Sequence, residues 1–218
     1  MLLGRRGEYM IRRILIADDH PMCSAALGMA VNVADTAIIA ETAATLQEAE
    51  DIARRGPLAL ILLDLLLPDV EGFAGLALIR AIRPDTPIAI VSSLDHDDTI
   101  RKAIGLGARG FISKASSIDQ MVAALRVLLA GGQWFPDRAL ANADAGPDIS
   151  TRIGELSIAQ LRVLRAIADG GQNKHIAHAL NLSEPTIKSH LNAIFRKLGV
   201  SNRTQAVLAL RELEPIGR

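Results

Sequence analysis

Three carboxylates, a hydroxyl and an ammonium stand out in this 218-residue chain because each closes a short apolar run. Asp18 and Asp19 follow RRILIA, Asp64 follows LALILL, Ser92 follows PIAIV and Lys114 follows GFIS. A single aspartate at the end of a strand is commonly a helix cap. Capping does not account for five such groups at the ends of four strands. Three like charges brought together repel unless a cation sits among them. An all-oxygen set with room for water suits Mg²⁺ better than zinc or copper. A carboxylate beside such a cation, with an anion-binding lysine and a hydroxyl nearby, is what accepting a phosphoryl group on Asp64 requires.

These groups converge only if the runs that carry them lie side by side. From residue 11 the chain alternates β-rich apolar runs with amphipathic stretches. IRRILIADD, AIIAETA, LALILLD, PIAIVSS and GFISK read as five strands. Helices are predicted over about 21–33, 45–55, 72–83, 97–106 and 118–130. The first carries Pro21 in its opening turn, and the second places Leu46, Ala49, Ile52 and Ala53 on one face. Strands each followed by a helix imply right-handed crossovers and a parallel sheet covered on both faces. The fold class expected is α/β, a five-stranded parallel doubly wound sheet of flavodoxin-like order 2-1-3-4-5. Strands 1 and 3 then flank the point where strand order reverses, where ligands of open sheets sit.

Periodicity lapses between GGQWFPDRAL and GPDISTRIGE, where Gly, Pro, Asp and Ser accumulate. The expected division is therefore an α/β domain over 10–132, a linker over 133–152 and a small all-α four-helix domain over 153–218. The helices of this last part are predicted at 157–169, 172–180, 184–198 and 202–212, with caps at Ser157, Ser183 and Ser201 or Asn202. The second and third, joined by the tight NLS turn, have helix-turn-helix spacing. Ile176, Ala177, Leu180, Leu182, Ile187, Leu191, Ile194 and Leu198 supply a seam between them. Thr186, Lys188, Ser189, Asn192 and Arg196 are left on outward or flanking faces, where polar and basic groups suit base edges and phosphates.

Composition excludes several classes. Half the residues are hydrophobic, which excludes a disordered or collagen-like chain. The most apolar stretch, 58–70, is broken by Asp64 and Asp69, so no membrane span is expected. MLLGRRGEYM lacks a signal-peptide core, and Met10 is an alternative start. The lone Cys23 excludes a disulfide framework and a cysteine zinc site, and is expected to be a small buried hydrophobe. A soluble protein of the reducing cytoplasm is expected. Formal net charge is zero, but residues 1–138 carry 14 basic and 17 acidic groups and the remainder 10 and 7. Neutrality therefore averages an acidic, cation-binding part with a basic, nucleic-acid-facing one. His175 and His178 read as a solvated helix face, His20 as a residue tuning or capping the acid loop, and Trp134 and Phe135 as anchors of the linker.

The motifs ADDHP, LLDLLLP, VSSLDH and FISK resemble those of the receiver domains of two-component response regulators over roughly residues 10–130. The resemblance implies Asp64 as phosphoacceptor. It implies a Mg²⁺ site of Asp19, Asp64 and the Leu66 carbonyl with Asp18 close by, and Ser92 and Lys114 as partners of the phosphoryl oxygens. Phe111 stands at the family's aromatic switch position, working with Ser92, and Ala115 stands where Pro is usual. NKHIA, LSEPTIKSHL and IFRKLGVSNRTQA resemble a LuxR-type helix-turn-helix over about 156–210, and the two together resemble the NarL/FixJ family. By that resemblance Lys188, Ser189 and Asn192 face bases, while Asn173, Lys174, Thr186 and His190 lie near the backbone. The last helix, with Val207, Leu208 and Leu210, resembles a surface that pairs two such domains. Two departures are LSIAQ in place of an LTPRE-like opening, and Asn192 where Lys is frequent. The implied partners are a sensor histidine kinase, double-stranded promoter DNA and a second copy of the chain on activation. The alternative carried by LSIAQ and Ala115 is a DNA-binding regulator independent of phosphorylation, its receiver serving as a dimer platform. A Mg²⁺-dependent phosphatase would need an acid two residues after Asp64, where Leu66 stands, so a turnover enzyme is not expected.

Overall fold

The computed structural model describes residues 12–137 and 149–211. Strands β1 (Arg12–Ala17), β2 (Ile38–Ala43), β3 (Leu60–Leu63), β6 (Ile88–Ser92) and β7 (Gly110–Ser113) form one parallel sheet ordered β2-β1-β3-β6-β7. This is the expected order once the short antiparallel hairpin of β4 (Leu66–Leu67) and β5 (Val70–Glu71) is set aside. The hairpin was not predicted, because two-residue strands carry no periodic signal. It is the one addition to the expected α/β plan.

Alternation along the strands divides the core. Ile14, Ile16, Leu60, Leu62, Ala89, Val91 and Ile112 point to the face covered by α1 (Pro21–Ala34) and α5 (Ile118–Leu129). Leu15, Ala17, Ile61, Leu63, Ile88, Ile90 and Phe111 point to the opposite face, under α2 (Leu46–Arg55), α3 (Ala74–Ile82) and α4 (Asp97–Gly105). The period of two is what a strand requires, and continuous apolar sequence lets both faces be buried at once. Sequence-local caps set the helix starts. Thr45 accepts the Glu48 amide ahead of α2, and Ser117 with Gln120 forms a reciprocal capping box at α5.

The helical part comprises α6 (Ile149–Gly154), α7 (Ile158–Ala168), α8 (Asn173–Ala179), α9 (Glu184–Leu198) and α10 (Arg203–Arg211). α6 lies where fading periodicity predicts a linker. A six-residue helix is too short to show a pattern, although its Ile153 is fully buried. Ser157 and Ser183 cap α7 and α9 as expected, and Asn202 rather than Ser201 accepts the Gln205 amide at α10. α9 ends at Gly199 in the left-handed region at φ 72°, where a Cβ would meet the Arg152 guanidinium that donates to the Leu198 carbonyl. Leu182 departs from the expected seam: it is 38% exposed, because the turn between α8 and α9 lifts it off the core. The helical part does not stand apart from the sheet. α7 and α6 pack on α3, α6 also meets α4, and Leu161, Val163, Leu164 and Ile167 continue the receiver-side core cluster.

Candidate acid site and nucleic-acid interface

Backbone pairing brings the carboxylates together. Ala17 is in register with Leu63 and the Asp64 amide donates to the Ala17 carbonyl at 2.8 Å, so Asp18 and Asp64 leave adjacent strands side by side. The Lys114 amide donates to the Ser92 carbonyl at 2.9 Å, aligning the ends of β6 and β7. From there the Lys114 side chain reaches back across the sheet. Its Nζ lies 2.6 Å from Asp64 Oδ2 and 3.0 Å from Asp18 Oδ1. Asp18, Asp64 and Ser92 are buried, the last completely. The Ser92 hydroxyl accepts the Leu94 amide, and Asp64 Oδ1 accepts the Leu66 amide at 3.2 Å. Phe111 is already packed inside the core, 2% exposed.

Electrostatics follow from this burial. Burial pushes the Asp64 carboxyl above its usual range. Lys114 offsets this only in part, and the neighbouring Asp18 charge adds to the rise. Burial alone would pull Lys114 down, but its hydrogen bonds to Asp64 and Asp18 outweigh that and hold the ammonium more firmly than usual. Cys23, on the first turn of α1, is pushed up to about 12 by burial and by its hydrogen bond with Asp18, which keeps it a neutral thiol, but it is half-buried rather than the fully buried hydrophobe expected.

Among the described residues, one group could hold a cation: donor atoms of Asp18, Asp19, His20 and Asp64 all lie within 4.8 Å of one another. The fit is supported by Asp18 Oδ2. This buried atom lies 2.9 Å from Lys114 Nζ but makes no properly angled hydrogen bond. The set is mainly oxygen and partly open to water at Asp19, as a hard cation requires. His20 sits against the acid pair, in keeping with the tuning role expected of it: Nδ1 lies 2.7 Å from Asp19 Oδ1, while its side chain makes no cap bond to α1. The bond between Lys114 and Ala115 is trans.

On the helical part, α9 turns Ile187, Leu191, Ile194 and Leu198 inward, leaving Lys188, Ser189, Asn192 and Arg196 exposed and His190 half-buried. Thr186 is half-buried and its hydroxyl pairs with Ser183 at 2.7 Å, which gives it a part in capping α9. Lys174 is exposed, while Asn173 accepts from Arg203. His175 and His178 are solvated, as expected. The LSIAQ opening is self-consistent. Ser157 and Gln160 form a capping box, and Gln160 Oε1 also accepts Lys197 Nζ at 3.1 Å. Of the three apolar residues expected to form a pairing surface on α10, Leu208 alone, 54% exposed, projects freely, since Val207 and Leu210 lean on the core. Trp134 and Phe135 anchor the chain leaving α5: Trp134 bonds to Arg109 and Phe111 along the edge of β7, and the two rings pack on opposite faces of the sheet.

An α/β domain with an acid pocket at its strand ends, packed against a helix-turn-helix, defines a two-domain regulator. Residues 14–126 match the response regulator receiver domain family, and residues 155–210 match the bacterial regulatory proteins of the luxR family. The chain is 34% identical to the glycerol metabolism activator of Pseudomonas putida, covering 93% of this chain and 96% of that protein. It is 29% identical to the nitrate/nitrite response regulator NarP of Escherichia coli, covering 90% and 93%. The structure of Salmonella RcsB bound to a promoter with the phosphate mimic BeF₃⁻ shares the fold, with a TM-score of 0.56 at 22% identity over 93% of this chain and 98% of that one. The chain belongs to the response regulator family, in its NarL/FixJ-type branch. It is a DNA-binding transcriptional regulator.

Two sets of residues escaped the sequence reading. One is the hairpin after Asp64. The other is a pair of contacts that hold α7 to the receiver: Arg162 to the buried Glu50, and Arg165 to the Asp69 carbonyl. The partners are 112 and 96 residues apart, so no local pattern announces them.

Proposed function

We propose that Asp64 accepts a phosphoryl group from a histidine of a sensor kinase, and that this controls promoter binding by α9. The observation that carries the reading is the meeting of Asp18, Asp64 and Lys114 in one buried group at the strand ends. An Asp64 carboxylate oxygen attacks phosphorus. The bond from phosphorus to the donor imidazole nitrogen breaks, and its electron pair leaves with that nitrogen. Lys114, now held by two carboxylates, is placed to pair with the incoming oxygens, and Ser92 offers a hydroxyl from the end of β6. Asp18, Asp19, Asp64 and the Leu66 carbonyl would hold Mg²⁺, which when bound supplies positive charge against the phosphoryl oxygens. Phe111 packs on the strand next to Ser92 and would rearrange with it.

In the tail, Lys188, Ser189 and Asn192 read bases, while Asn173, Lys174, Thr186, His190 and Arg196 contact the backbone. A homodimer reads two half-sites of double-stranded DNA in the cytoplasm. The functional units are the receiver over 10–132, a linker over 133–152 and the DNA-binding domain over 153–218. Among the described residues no helix is long and apolar enough to cross a membrane. The test is Mg²⁺ with beryllofluoride. Larger oligomer size and tighter promoter binding are expected, both lost in Asp64→Asn. No change in either would refute the reading.

A further inference from the structure

At the end of the sheet opposite Asp64, the loops that enter β6 and β7 and the chain leaving α5 border a cavity of about 640 Å³. That volume lies within the range of small-molecule pockets. Among the described residues three charged side chains line it: Arg80 in the last turn of α3, Asp85 in the loop before β6, and Arg109 just ahead of β7. Neither guanidinium has a carboxylate partner among those residues. Arg80 is preset. Its Nη1 donates to the Leu106 carbonyl, and the guanidinium lies against Gly107, where a Cβ would collide with it. Gly107 is also in the left-handed region at φ 80°, so both the backbone and the arginine call for glycine there. The Arg109 backbone is fixed on both sides: its amide donates to the Ile88 carbonyl at 2.7 Å and its carbonyl accepts the Trp134 amide at 3.1 Å. Phe135 adds a half-buried aromatic side chain to the lining, Thr86 a hydroxyl and Gln133 a carboxamide.

We propose that this cavity is a second ligand site and that its ligand is a nucleoside monophosphate. Two guanidiniums without carboxylate partners match a dianion, and the planar fork of arginine suits phosphate oxygens. With Nη1 engaged by Leu106, Arg80 still offers Nε and Nη2. An inorganic anion alone would leave most of the volume unfilled, whereas Phe135 gives a base a ring to stack on. Asp85 opposes a ligand that is anionic throughout and favours one that also carries hydroxyl donors, as a ribose does. Gln133 presents both a donor and an acceptor to the edge of a base. The cavity shares no residue with the acid site, which lies at the other ends of the same strands.

Isothermal titration calorimetry of the full chain tests this with AMP, GMP, CMP and UMP as probes, Mg²⁺ being left out. At least one of the four is expected to bind, with its nucleoside and inorganic phosphate each about tenfold or more weaker. Arg109→Ala changes an exposed side chain and should weaken that nucleotide about tenfold or more, because a charge-assisted pair is lost. Asp64→Asn and Lys188→Ala should bind it as wild type does, which separates the cavity from the acid site and from the outward face of α9. In an NMR titration of the wild type, the amides of Gly107, Gly131 and Gln133 should shift while those of Asp18 and Asp64 stay in place. Absence of binding by all four nucleotides, or equal affinity in wild type and Arg109→Ala, would overturn the site. Binding of inorganic phosphate or of benzoate as tight as that of the nucleotide would overturn the ligand class.

Discussion

The acid site and the outward face of α9 solve opposite problems with the same kinds of side chain. Around Asp64, charges from three strand ends are taken out of water and held by one another, with Lys114 spanning two carboxylates. Along α9, charges come from consecutive turns of one helix and stay in water, while the apolar residues beneath them do the packing. A buried group depends on every member, because removing one leaves another unpaired in a poor solvent for charge. An exposed row is distributed, and each contact adds its own increment. Single substitutions should therefore act as switches in the receiver and as dials in the tail.

The largest effect tests the switch. Asp64→Asn should abolish uptake of a phosphoryl group from a small-molecule phosphodonor, read as loss of the phosphorylated species by intact mass, with the fold unchanged. Next comes the scaffold under the dial. Ile194→Ala, at a fully buried position beneath the outward face, should cost about 2–5 kcal/mol in denaturant unfolding. On the dial itself, Lys188→Ala should weaken binding to the preferred promoter by about 1–3 kcal/mol and relax specificity. Arg196→Ala should instead weaken all sequences alike and lower the salt slope by about one unit. If Arg196→Ala changed sequence preference and Lys188→Ala did not, their roles would be exchanged.

The smallest effect separates binding from stability at the acid site. Burial raises the folded pKa of Asp64 above its unfolded value, so its stabilising share is present at low pH and lost as pH rises through the folded pKa. Asp64→Asn removes that ionisation and should raise the thermal midpoint at neutral pH. The gain should fade as pH falls below the usual carboxylate range. A midpoint that dropped at neutral pH would mean that the bond to Lys114 outweighs the burial cost.

Much of this architecture is legible in the sequence because it is periodic. Continuous apolar sequence along β3, and spacing of three and four along α2 and α9, mark Leu60 to Leu63, Ala49 and Ile187 as buried before any coordinate is known. Caps such as Ser157 and Ser183 are read because their partners lie three residues away. The five chemical side chains were found because strand ends are marked by where apolar runs stop. Short or distant features were not legible: the hairpin over 66–71, the six-residue α6 and the exposure of Leu182 obey no period. His20 gave a weaker signal, being adjacent to the acid pair without a spacing that assigns it a role.

The sequence by itself determined the class of the five sheet strands and of the longer helices, the strand ends at which the carboxylates gather and the residues that α9 presents to solvent, since each depends on spacing within a few turns. Only the tertiary structure decided that Lys114 spans Asp18 and Asp64, that His20 joins them, and that Arg162 and Arg165 seat α7 on Glu50 and Asp69. Apart from that of His20, those contacts join residues 50 to 112 positions apart, and their geometry is set by how the layers pack.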